Sequence, residues 1–171
     1  MGLFDDRCFS YVAAFGAFTD VAYLTPQEAK MIFGKTAYIA EAAKRLPSLS
    51  PIEANVIADD RLFHEQYIFG MVANSKTVGG IRFFDGNGAD DLRDGLLEVL
   101  LIAYPNNTQE LQESLVALFT PKATARIRRI RASEIHFHFE TPTPWTLDGE
   151  FGGNQESVAI RCLPRHLHII E

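Results

Sequence analysis

The stretch PIEANVIADDRLFHEQYIFGMVA, residues Pro51 to Ala73, decides the class of the fold. Ile52 to Ala58 and Leu62 to Ala73 are rich in branched and aromatic residues, and Asp59-Asp60 between them reads as a hairpin turn. The same texture extends outward. Towards the N-terminus, Cys8 to Ala14 reads as a strand that ends at a turn on Gly16. Towards the C-terminus, Gly79 to Phe84 and Leu96 to Ala103 flank a Gly- and Asp-rich loop. Glu134 to Glu140, Pro144 to Leu147, Val158 to Leu163 and His168 to Ile170 follow as further short strands.

Two helical stretches interrupt this pattern. Thr25-Pro26-Gln27-Glu28 is a compact helix start, with a capping hydroxyl, a proline at the first turn and an acid that reaches back. Ile32, Phe33, Ala37, Tyr38, Ala42 and Leu46 then recur at helical spacing until Pro47, with Gly34 marking a break. Asn107 to Phe119 is amphipathic, with Leu111, Leu115, Leu118 and Phe119 on one side. The expectation is a mainly β (α+β) fold: a β-sandwich-like domain with a helical insertion near the N-terminus and one amphipathic helix. Strands do not alternate regularly with helices, and no Gly-rich strand–loop–helix occurs. A nucleotide-binding α/β domain is therefore not expected within these residues.

Composition narrows the function classes. A chain of 171 residues suits one domain, residues 1–171, with a proper core. No apolar run approaches the roughly 18 residues of a membrane span, and nothing resembles a signal peptide. A net charge of −6 argues against nucleic acid as a partner. Cys8 and Cys162 stand far apart with no Cys-x-x-Cys, which leaves no zinc ribbon or redox motif and suits two reduced thiols in the cytoplasm.

Four segments have the residue types for chemistry. Asp85 to Gly95 (DGNGADDLRDG) offers carboxylates and carbonyls to a hard cation, although its spacing is not that of an EF-hand; the plainer reading is a solvated turn. Trp145 to Gly153 (WTLDGEFGG) holds Asp148 and Glu150, which strand alternation would send to one side where two carboxylates divide acid, base or metal roles. The plainer reading there is an Asp-Gly turn. His136 with His138, and His166 with His168, have the period of a strand face, and zinc is the sharper alternative. Arg126, Arg128, Arg129 and Arg131 form a basic stripe, suited to an anionic headgroup or simply to solvent.

Several segments taken in order resemble one family. They are FSYVAAFGAFTDV from Phe9 to Val21, Thr25-Pro26-Gln27, Gly34 to Tyr38, Ser75 to Gly80, DGLLEV from Asp94 to Val99, and Leu147 to Glu150. Together they resemble the soluble lipid kinases that include bacterial diacylglycerol kinase and the sphingosine kinases, related to NAD-kinase-like folds. The resemblance runs from about Phe9 to the end. It implies a C-terminal, substrate-side domain, with a separate N-terminal domain that carries a Gly-Gly-Asp-Gly-Thr loop and holds ATP.

By the same resemblance Glu150 is the proton acceptor, and Asp148 supports magnesium or orients the substrate hydroxyl. The division of roles between these two stays open. A structural Mg2+ maps to the side chain of Asp94 and the carbonyls of Asp91 and Leu96. Arg93 stands where the family usually carries an acidic residue, a departure that bears on affinity and leaves the position of Asp94 unchanged. The implied reaction is phosphorylation of a lipid hydroxyl in phospholipid biosynthesis, with diacylglycerol first and a sphingoid base or phosphatidylglycerol as other substrates. The turn from Phe15 to Phe18 would face the lipid. The implied setting is cytoplasmic with transient membrane-surface contact, and a homodimer is open to it. Two other classes compete: a non-catalytic lipid- or protein-binding β module, and a zinc-binding β protein using the histidine pairs.

Overall fold

Eleven strands and one helix form among the residues that the computed structural model describes, which are 1–17, 49–78, 81–82, 94–118 and 124–164. In chain order they are β1 (Gly2–Phe4), β2 (Arg7–Phe9), β3 (Val12–Gly16), β4 (Ile52–Ala58), β5 (Arg61–Ala73), β6 (Thr77–Val78), β7 (Ile81–Arg82) and β8 (Leu97–Ala103). Then come α1 (Thr108–Leu118), β9 (Ile127–Ala132), β10 (Glu134–Leu147) and β11 (Glu150–Cys162). The helical insertion expected over Thr25 to Leu46, and the strand at His168 to Ile170, lie outside the described residues.

All strand pairs are antiparallel; β6 and β7 pair only with each other, and the other nine strands form one sheet. The two long strands organise it. Along one edge β10 pairs with β11, and along the other it pairs first with β4, from Ile135 to Phe139, and then with β3, from Trp145 to Leu147. β5 makes the same change of partner, with β4 up to Tyr67 and with β3 from Phe69. The pairing therefore closes a circuit through β3, β5, β4 and β10. Beyond it β8 and β9 extend the β5 side, while β1 and β2 extend the β11 side. β9 also packs against β4 without pairing to it, so the sheet folds back into two layers over one core. The sandwich-like expectation holds.

Trp145 lies at the centre of that core with no exposure, its ring 5.1 Å from Phe4, 4.8 Å from Phe15, 5.2 Å from Phe137 and 6.0 Å from Phe139. Most of these contacts are edge-to-face, the arrangement that ring quadrupoles favour. Burying each such side chain contributes about 1.5–3 kcal/mol. The outer face of β5, β8 and β9 is covered instead by α1, whose Leu111, Ala117 and Leu118 meet Met71, Leu100 and Ile102. Asn107 caps this helix, its Oδ1 accepting the Glu110 N–H at 2.9 Å, which is why the expected Asn107–Phe119 run begins at Thr108.

The basic stripe is consumed by this packing. Arg126 pairs with Glu110 at 2.6 Å, Arg128 with Glu65, and Arg131 with Glu98 at 3.0 Å. Arg129 donates to the carbonyl of Ala117 at 2.8 Å, at the end of α1 where a cation complements the helix dipole.

Two strand boundaries differ from the sequence reading. The run Cys8 to Ala14 is two strands, broken at Ser10-Tyr11, for a reason given below. Glu134 to Leu147 is one strand where two were expected. Pro142 falls between the end of β4 pairing at Phe139 and the start of β3 pairing at Trp145, so its missing N–H breaks no ladder on that edge.

Three hairpins turn on one device. Asp5, Asp59 and Asp148 each begin a two-residue connection, with φ of 51°, 48° and 50°. Aspartate tolerates that region better than most residues, and each carboxylate reaches a neighbouring backbone. Asp5 accepts the Ala159 N–H at 2.9 Å. Asp59 accepts the Ser133 N–H and hydroxyl, both at 3.0 Å, and the Glu134 N–H at 3.1 Å.

Candidate active site

The strand alternation expected to put Asp148 and Glu150 on one side gives way to a turn. β10 ends at Leu147, which pairs with Glu150, and Asp148-Gly149 connects them with φ of 50° and 94°. Positive φ at both positions is what a type I′ hairpin turn requires, and Asp-Gly is among its preferred sequences.

Asp148 turns back onto the loop between β2 and β3. Its Oδ2 accepts the Ser10 N–H at 2.7 Å and the Ser10 hydroxyl at 2.8 Å, and its Oδ1 accepts the N–H groups of Tyr11 at 2.9 Å and Val12 at 2.8 Å. The Asp148 N–H in turn donates to the Val12 carbonyl at 2.8 Å. These bonds draw three consecutive amides to one carboxylate, and that breaks the β2–β3 run. Burial alone would raise the Asp148 carboxyl, but the N–H groups of Ser10 and Val12, the Ser10 hydroxyl and the Tyr11 N–H outweigh it and hold the acid below its ordinary 3.8.

Glu150 is the first residue of β11 and is exposed; among the described residues its carboxylate has no hydrogen-bond or ion-pair partner. It is thus open to a proton from outside, while Asp148 has four donors. Exposed aromatic surface flanks the turn, with Phe151 61% and Tyr11 43% exposed. A second layer supports the loop: Asn74 donates its N–H to the Tyr11 carbonyl at 2.9 Å and its Nδ2–H to the Ser10 carbonyl at 3.4 Å.

Asp94 and Leu96 precede β8 on the same edge of the sheet. The Leu96 N–H donates to Asp94 Oδ1 at 3.0 Å, and Gly95 between them has φ of 78°. The second Asp94 oxygen has no partner among the described residues, so the donor set fits one carboxylate ligand of a hard cation. Asp91 and Arg93, with most of the Asp85–Gly95 loop, lie outside the described residues. In sheet order β10, β3, β5 and β8 are successive neighbours. Asp94 therefore stands before β8, while Asp148 follows β10, three strands away in sheet order.

His136 and His138 occupy the exposed face of β10; His136 Nε2 lies 3.1 Å from Glu134 Oε1 and His138 Nδ1 3.3 Å from Ser157 Oγ. His166 and His168 lie outside the described residues. No group of three or more His, Cys, Asp or Glu side chains among the described residues has the spacing of a metal site.

Ser10, Tyr11 and Val12, the donors that fix Asp148, were not singled out by chemistry in the sequence. They are 136 to 138 residues away from it, and no local pattern announces the pairing.

Comparison with known proteins gives this geometry a family. Residues 13–171 match the model of the YegS C-terminal NAD kinase β-sandwich-like domain. The chain belongs to that family. The family match accords with the resemblance read from the ordered motifs. Curated relatives named diacylglycerol kinase, from Bacillus subtilis (strain 168) and Staphylococcus epidermidis, are each 25% identical over 99% of this chain. The chain spans about half of their length, 55% and 53% respectively. Among solved structures, a putative diacylglycerol kinase from Bacillus anthracis str. Sterne is similar over 95% of this chain and 52% of its own, with a TM-score of 0.64 at 18% identity. That likeness establishes a shared fold. No described helix is long and apolar enough to cross a membrane.

Proposed function

We propose that this chain is the substrate-side half of an ATP-dependent lipid kinase, and that it works with a nucleotide-binding domain to phosphorylate a lipid hydroxyl, diacylglycerol first. The observation that carries the reading is Glu150: an exposed carboxylate on a hairpin tip with no partner among the described residues, in a family whose curated relatives are named diacylglycerol kinase.

Phosphoryl transfer asks little covalent chemistry of a protein; it asks for alignment, charge neutralisation and a group to take the hydroxyl proton. In this reading the substrate hydroxyl oxygen bonds to the γ-phosphorus of ATP as the bond to the bridging oxygen breaks. ADP leaves, and the hydroxyl proton passes to Glu150. Asp148 keeps the tip in place through the Ser10–Val12 amides. Tyr11 and Phe151 supply apolar surface beside the carboxylate for the lipid and for transient contact with a cytoplasmic membrane face. Asp94, with the carbonyls of Asp91 and Leu96, would hold Mg2+ in a structural role, where the ion supplies positive charge to an acidic loop. A homodimer belongs to the same reading and is checked by sedimentation.

The test is transfer of radiolabelled phosphate from ATP to diacylglycerol in mixed micelles. The protein as its gene encodes it, the chain alone and Glu150→Gln are compared. The chain alone is expected to be inactive, because positioning of ATP supplies most of the rate. Loss of a general base costs a factor of about 10² to 10⁴. Robust transfer by the isolated chain refutes the division of labour, and a fully active Glu150→Gln refutes the base.

A further inference from the structure

The strand that carries Glu150 contains a bulge, and the bulge leaves a carbonyl for Arg7. Trp145 pairs with Gly153 while Thr146 pairs with Phe151, so Gly152 is the extra residue. A bulged residue loses its ladder partners. Gly152 is buried, where an unpaired carbonyl is costly. Arg7 Nη1 donates to that carbonyl at 3.0 Å. A bond from a guanidinium is stronger than one between neutral groups. The bulge is also tight: a Cβ on Gly152 would lie 3.1 Å from Leu147 Cγ and 3.2 Å from the Trp145 carbonyl oxygen, so a larger residue would press on both.

One short segment therefore grips the hairpin tip at two points. Ser10, Tyr11 and Val12 hold Asp148, two residues before Glu150, and Arg7 holds Gly152, two residues after it. The Glu150 side chain has no partner of its own among the described residues, so the backbone between these anchors sets where its carboxylate stands. We propose that Arg7 is a positioning residue for Glu150, acting through the Gly152 carbonyl, with Ser10 as its counterpart at Asp148. The inference rests on the reading of Glu150 as proton acceptor.

The experiment uses the protein as its gene encodes it, with Arg7→Met, Arg7→Lys and Glu150→Gln. Methionine keeps much of the aliphatic stem and removes the donor; lysine keeps a cationic donor. Arg7→Met is expected to lower kcat about tenfold with little change in KM for ATP or lipid, because alignment is lost and binding is not. Arg7→Lys should recover most of that loss. Amide hydrogen exchange should speed up at Glu150 to Gly153 in Arg7→Met, with the β5 and β8 amides unchanged. Unaltered exchange at the tip overturns the brace, as does a wild-type kcat in Arg7→Met alongside a dead Glu150→Gln. An active Glu150→Gln is a different failure, that of the catalytic reading itself.

Discussion

Ser10 gives Asp148 two hydrogen bonds across 138 residues of sequence, from its N–H at 2.7 Å and from its hydroxyl at 2.8 Å, both to Oδ2. With Tyr11 and Val12 on Oδ1, both carboxylate oxygens are used. Asparagine at this position keeps one acceptor oxygen and turns an NH2 towards the remaining donors. Asp148→Asn should therefore destabilise the fold by about 1–2 kcal/mol, the lower part of the range for unsatisfied partners because solvent reaches the site. Urea unfolding measures this, and an unchanged midpoint would remove Asp148 from the role of latch.

Acid should open the same latch. Asp148 and Asp59 both sit below the ordinary aspartate value of 3.8: burial raises each, but backbone and hydroxyl donors outweigh it. A carboxylate whose folded value is lowered contributes stability above its unfolded value, and that contribution is lost as pH falls through the folded one. The urea midpoint should thus drop as pH is lowered from about 4 towards those folded values, and less steeply in Asp148→Asn. Parallel profiles for the two proteins would contradict the assignment.

Magnesium should raise the melting temperature if Asp94 helps to hold it, since a ligand bound only by the folded state stabilises that state. Asp94→Asn is the informative change. It keeps an oxygen for the Leu96 N–H, bonded at 3.0 Å, and removes the charge a cation needs. The expected result is a normal fold with no magnesium response; an undiminished response in the variant would exclude Asp94.

The histidines of β10 are expected to bind no stoichiometric zinc. His136 and His138 face outward beside Glu134 and Ser157, and among the described residues no tetrahedral set of His, Cys, Asp or Glu forms around them. Elemental analysis that found about one tightly held zinc per chain would reverse this.

Much of the sheet was legible because its signals are local. Branched and aromatic runs around Asp59-Asp60 and Asp148-Gly149 mark hairpins whose turn residues suit positive φ, and Asn107 marks the start of α1. The break at Ser10-Tyr11 was not legible, since its cause is a carboxylate on another strand. Nor was the continuity of β10 through Pro142, which depends on β4 ending where β3 begins. At the candidate site the carboxylates were visible in the Asp-Gly-Glu motif, but their division was not. Only the folded loop reveals that one is saturated with donors and that the other has no partner among the described residues. Arg7 carried no signal at all, because its partner is a backbone carbonyl that any sequence possesses.

The pairing of the first strands with the last has a cost during synthesis. β1 and β2 pair with each other and with β11, where Gly2 meets Cys162. A ribosome adding about 5–20 residues per second separates those two residues by roughly 8–30 seconds. For that interval Phe4 and Phe9, each 1% exposed in the finished fold, lack the β11 strand that holds β1 and β2 over the core. The nascent chain should therefore present them to chaperones until translation reaches β11, and the corner that carries Glu150 is completed by residues made at opposite ends of that wait.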